Sequence, residues 1–138
     1  MDLRGPLVGP PGTPLRVGVP VVLASFAAAA LSTTLILSGA ESGGVYFPFD
    51  MALVALVASA GYAARYRAAV VCLVIGAAAS AGSYVGFHAL HGDETVLGVL
   101  VRIAGRADVL GAGLVFGAAG VVAGFVAGYA VRFRRSRA

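Results

Sequence analysis

Apolar positions along this chain gather into four runs that contain no charge. Val17–Gly39 holds 23 residues, Met51–Ala64 holds 14, Ala68–Phe87 holds 20 and Val109–Val131 holds 23. A helix needs roughly 20 apolar residues to cross a hydrocarbon core about 30 Å thick. Three runs reach that length outright, and Val45–Phe49 extends the second toward it on its N-terminal side. The pattern predicts an all-α integral membrane protein with four transmembrane helices, at about 17–39, 45–64, 68–87 and 109–131. Four spans leave room for one domain, residues 17–131, and no soluble one.

The intervals between the runs carry their own signals. Residues 1–16 include Pro6, Pro10, Pro11 and Pro14, which excludes a regular helix and predicts a disordered tail. Residues 132–138 form a basic tail with Arg132, Arg134, Arg135 and Arg137. Between Thr95 and Ala107, Val96, Leu97, Val99, Leu100 and Ile103 are apolar, while Arg102 and Arg106 stand one turn apart. That stretch is too short to span and predicts an amphipathic helix on the outer face, at about 95–107. Ser38-Gly39-Ala40 resembles a small-residue cleavage site, but the run before it exceeds the usual signal-peptide core of about 7–15 residues.

Charge then sets the orientation. The chain has ten Arg and no Lys, for a net charge of +4. Eight Arg fall with the N-terminus, the loop at Arg65–Arg67 and the C-terminus, and two fall on the other side. Arginine is retained in the cytoplasm, so both termini are expected there, in a multi-pass protein of the cell (plasma) membrane. The arginines sit at helix ends rather than on one groove-sized patch, which argues against nucleic acid. Only 12% of residues are charged and 59% are hydrophobic, against about 25% charged in a soluble domain.

Two features concern assembly. Gly61-Tyr-Ala-Ala-Arg-Tyr-Arg67 matches Gly128-Tyr-Ala-Val-Arg-Phe-Arg134 at five of seven positions. Spans two and four thus end alike, and a duplicated helical hairpin with both copies pointing the same way accounts for it. The fourth span also places Gly113, Gly117, Gly120, Gly124 and Gly128 on one helix face. Such a stripe lets another helix approach closely. It serves either packing within the bundle or contact between copies, and the third span offers Gly76, Ser80, Gly82, Ser83 and Gly86 in reply.

Candidate chemistry is sparse. No charged residue falls within the apolar runs, which argues against ion-coupled transport. Their polar groups are hydroxyls: Ser25, Ser32, Thr33, Thr34, Ser59 and Ser80. Such hydroxyls bond back to their own helix or across to a neighbour. Cys72 reads as a small buried hydrophobe. Asp50, Asp93 and Asp108 each precede a predicted helix and read as N-caps. His88 and His91, three apart, followed by Asp93 and Glu94, form the one group with metal-ligand content. No catalytic constellation and no cofactor motif is visible, since helical glycines lack the strand-turn-helix context of a nucleotide loop. These observations lead to a non-enzymatic membrane protein, a structural or accessory subunit or a homo-oligomer, whose partners are the lipid bilayer and another membrane protein or second copy. A small transporter or channel with its pore between copies is the alternative. A metal or haem site at His88 and His91 is a third reading.

Overall fold

The computed structural model describes residues 15–39, 48–92 and 95–136, and helices are the only regular elements among them. They are α1 (Leu15–Gly39), α2 (Phe49–Tyr66), α3 (Ala69–His91), α4 (Val96–Ala104) and α5 (Ala107–Arg135). Of the predicted N-terminal tail, residues 1–14 lie outside the described residues, as do Asp93 and Glu94, whereas the predicted basic tail begins as helix, with Arg132, Arg134 and Arg135 in the last turn of α5.

Three helices are long and apolar enough to cross a membrane: residues Arg16–Gly39, Ala69–His91 and Ala107–Arg135. Four were expected, and α2 is the one that falls short. Pro48 occupies its N-cap position, with φ −76° and ψ 57°. Proline lacks an N–H and biases the preceding residue away from helix, so the helix starts at Phe49 instead of drawing in Val45. Asp50 in its first turn and Arg65 in its last leave 14 residues free of charge between them. At about 1.5 Å per residue those residues cover roughly 21 Å, short of a core about 30 Å thick.

The helices alternate in direction, and α3 is the central one. It packs against α1, α2 and α5, and α5 in turn packs along α2. α1 and α5 do not touch each other, whereas α2 and α3 do. The two hairpins therefore occupy unequal surroundings. Glycine makes the parallel α1–α3 contact close: a Cβ at Gly82 would lie 2.9 Å from the Phe26 carbonyl carbon, and one at Gly86 would meet the Ala30 carbonyl oxygen. Apolar clusters fill the rest. Tyr62, Ala63, Ala68, Cys72 and Ile75 pack at one end, and Ala29, Met51, Ala55 and Ala79 pack together as a second cluster. Val85 meets Val99 and Ile103 of α4 at the other end. Thr95 caps α4 by accepting from the Gly98 N–H at 3.3 Å.

The repeated heptapeptide ends in two ways. In the first copy Arg67 turns left-handed at φ 53° and its N–H bonds to the Ala63 carbonyl at 3.0 Å, so α2 stops and α3 folds back. In the second copy the helix runs on through Arg135. The difference lies downstream: Ala68 is fully buried beneath α2 and α3, a placement only a reversal permits.

Candidate functional site

The densest polar group lies where α1, α2 and α3 meet, at the end of the bundle away from Arg65 and Arg132. Asp50 Oδ2 accepts from Ser32 Oγ at 2.9 Å and from Thr33 Oγ1 at 2.7 Å. Thr33 is fully buried, and its hydroxyl also lies 2.8 Å from Ser83 Oγ. A hydroxyl carries one hydrogen. With the Thr33 hydrogen committed to the carboxylate, Ser83 donates to Thr33, giving a directed chain from Ser83 through Thr33 to Asp50. Ser32 divides its hydrogen between Asp50 and the Ala29 carbonyl at 3.1 Å. Hydrogen bonds to a carboxylate are roughly twice as strong as neutral ones, so this group fastens three helices through one oxygen.

The N-cap reading of Asp50 is corrected by this geometry. Pro48 holds the cap position without a side-chain bond, and Asp50 sits inside the first turn with its carboxylate turned onto α1. Asp108 likewise lies inside the first turn of α5, whose N-cap is Arg106. Its carboxylate takes two bonds from the Arg106 guanidinium, at 2.8 and 2.6 Å. Those bonds and the adjacent negative charge raise Arg106 above its ordinary range.

Beside the Ser83 end of the relay, an apolar cavity of about 240 Å³ opens between Pro48, Met51, Tyr84, Phe87 and Val109. Ser80, also on its wall, donates to the Val109 carbonyl and ties α3 to α5. Deeper in the bundle α2 and α3 exchange a reciprocal pair. Ser59 Oγ donates to the Cys72 carbonyl at 3.0 Å, and Cys72 Sγ donates to the Ser59 carbonyl at 3.3 Å. Cys72 is thus a hydrogen-bonding member of the core as well as a small one. Ser25 and Thr34 bond back along their own helix, to Val21 and Ala30, each at 2.8 Å.

The five glycines of α5 fall against two different helices. Gly113 and Gly117 lie on α3, where a Cβ at Gly117 would stand 2.8 Å from the Cys72 carbonyl oxygen and one at Gly113 would stand 2.7 Å from Ser80 Cβ. Gly120, Gly124 and Gly128 lie on α2, with built Cβ atoms 2.6 Å from Ser59 Cβ, 2.7 Å from Ala63 Cβ and 3.2 Å from the Ala64 carbonyl oxygen.

His88 and His91 occupy the last turn of α3. The His88 ring rests on Tyr84 with centroids 4.4 Å apart, and the His91 ring stacks on Phe87 at 4.9 Å. His91 Nδ1 lies 3.0 Å from the Phe87 carbonyl. Their proposed companions Asp93 and Glu94 lie outside the described residues, and no three His, Cys, Asp or Glu side chains converge among the described ones.

Sequence alone does not bring the members of this relay together. Ser32, Thr33 and Asp50 each stand out as polar at the edge of a run, but their meeting depends on how α1 and α2 are rotated against each other. The one hint is positional: in a hairpin, the Ser32-Thr33-Thr34 triplet and Asp50 fall at comparable distances from the connecting loop.

No protein-family model, curated protein or solved structure matches this chain.

Proposed function

We propose that this chain is a four-helix integral membrane protein of the cell membrane, with both termini cytoplasmic, that works as a non-enzymatic accessory subunit or homo-oligomer. α2, though short, crosses with its neighbours because its Asp50 is satisfied by α1. The observation that carries the reading is an apolar groove of about 500 Å³ between α1 and α2, lined by Val21, Ala24, Ser25, Ala28, Leu53 and Val57. α1 packs mainly on α3, so it stands away from α2 and leaves this furrow on the outward side. Ala24 and Ala28 are one turn apart and exposed. Small residues at that spacing let a further transmembrane helix seat closely.

The test is association in mild detergent, by native mass spectrometry and co-purification. The full chain should carry a second copy or a membrane-protein partner, and Ala24→Leu with Ala28→Leu should release it while Cys72 stays protected. Recovery only as a lone monomer, before and after that change, would overturn the reading.

Asp50 favours a second reading, a small transporter or channel with its path between copies. An ionisable group held among helices costs free energy and often marks an ion path. Solute or proton flux into reconstituted vesicles that disappears in Asp50→Asn would support it. Equal flux in both forms would dismiss it.

A further inference from the structure

The opposite end of the bundle carries an unclaimed site. Gly61, Ala64 and Arg65 of α2 face Gly128, Arg132 and Arg135 of α5 across a cleft of about 410 Å³. It begins where the Gly stripe ends: a Cβ at Gly61 would meet nothing within 4 Å, so the wall is open. Arg132 and Arg135 are one turn apart, α5 continues to Arg135 while α2 stops at Tyr66, and Arg65, Arg132 and Arg135 all line the same cleft. Among the described residues none of the three has an acidic partner within salt-bridge distance. Both acids of the described residues, Asp50 and Asp108, begin their helices at the far end.

Two helices, α2 and α5, end on this side of the bundle, and each C-terminus is worth about half a negative charge. Three arginines outweigh them, leaving a site about two charges positive with an apolar, small-residue floor. We propose that this cleft binds an anionic phospholipid of the leaflet at the arginine-rich end. The phosphate would lie on Arg65, Arg132 and Arg135, and the glycerol and upper acyl chain on Gly61, Ala64 and Gly128. Basic pockets between transmembrane helices select anionic headgroups for this combination of charge and apolar contact. A free phosphate would use the arginines but gain nothing from the floor.

The experiment is lipid retention by the full-length chain in native mass spectrometry, titrated with phosphatidylglycerol or phosphatidylcholine. Phosphatidylglycerol should be retained in preference, at one molecule per chain. Each arginine contributes roughly a fivefold factor, so Arg132→Gln with Arg135→Gln should weaken retention roughly 25-fold. Gly61→Leu should weaken it with every charge in place, because it fills the floor. Arg134→Gln removes a charge from the same tail without lining the cleft, and should bind as wild type does. Cys72 protection from a thiol reagent verifies that each variant keeps its bundle, and Arg65→Lys provides a milder probe if the double variant does not. Equal weakening by Arg134→Gln with no effect of Gly61→Leu would overturn the site in favour of diffuse attraction. So would displacement of the lipid by millimolar inorganic phosphate, or retention of an acidic protein segment in its place.

Discussion

Replacing Gly120 by alanine adds one methyl group where α5 lies against α2. Built on the backbone, that carbon stands 2.6 Å from Ser59 Cβ, 3.0 Å from the Leu56 carbonyl oxygen and 3.1 Å from the Ala60 nitrogen. Carbon contacts settle at about 3.5–4.0 Å, so α5 must back away by about 1 Å. Gaps of that size forfeit a quarter to a half of each neighbouring contact, and overpacked cores lose about 1–3 kcal/mol. Gly61→Ala is the control, because its added methyl meets nothing within 4 Å. Both changes gain the same helix propensity, about 1 kcal/mol, which cancels in the comparison. The readout is built into the chain. Cys72 is its one cysteine and is fully buried, and its carbonyl accepts from the same Ser59 that the new methyl displaces. Its alkylation by a maleimide in mild detergent reports the fraction of opened bundle. Gly120→Ala should therefore label roughly 5- to 150-fold faster than Gly61→Ala. Labelling of the two within about twofold, less than 1 kcal/mol apart, would refute close packing of α5 on α2.

Three further outcomes are expected. Thr33→Val removes a hydrogen bond to a carboxylate and should cost roughly 1.5–3 kcal/mol, more than Ser32→Ala, whose hydrogen is already shared; denaturant midpoints in mixed micelles give the order, and the reverse order would contradict the relay. Ser59→Ala should cost about 1 kcal/mol and speed Cys72 alkylation about fivefold, whereas Ser25→Ala, which loses only a bond along its own helix, should leave the rate near wild type. Arg67→Gly relieves a left-handed backbone worth about 1–2 kcal/mol and should raise the melting temperature, while a fall would assign the turn to the arginine side chain.

The helices were legible because charge is scarce and falls only at their ends. Runs 17–39 and 109–131 lie within observed helices, run 68–87 does so from Ala69 onward, and α3 gains one further turn through His91. Apolar content alone extends α2 through Val45–Phe49, but Pro48 at the N-cap sets its start at Phe49. The amphipathic stretch expected over 95–107 is α4 at Val96–Ala104, capped by Thr95 and ended at Gly105, with Arg106 leading into α5 from Ala107. The Gly stripe was legible as a surface for close approach. Its division, with Gly113 and Gly117 on α3 and the other three on α2, was not, because it depends on the angle at which α5 crosses two helices. Asp50 was legible as a helix-start acid, but the hydroxyls that hold it come from residues 17 and 18 positions earlier on another helix.

The central place of α3 bears on how the chain can be built. α1 leans chiefly on α3, and α2 leans chiefly on α5. Each early helix therefore has its main neighbour in the later half of the chain, and the first hairpin emerges from synthesis with little to hold it. Neither half is a self-sufficient unit. Residues 1–67 and 68–138, made as separate polypeptides in the same membrane, should each be short-lived alone and should rescue each other when made together. Assembly is thus deferred in two steps, α1 waiting for α3 and α2 waiting for α5, which leaves each early helix with a flank open to membrane chaperones in the interval.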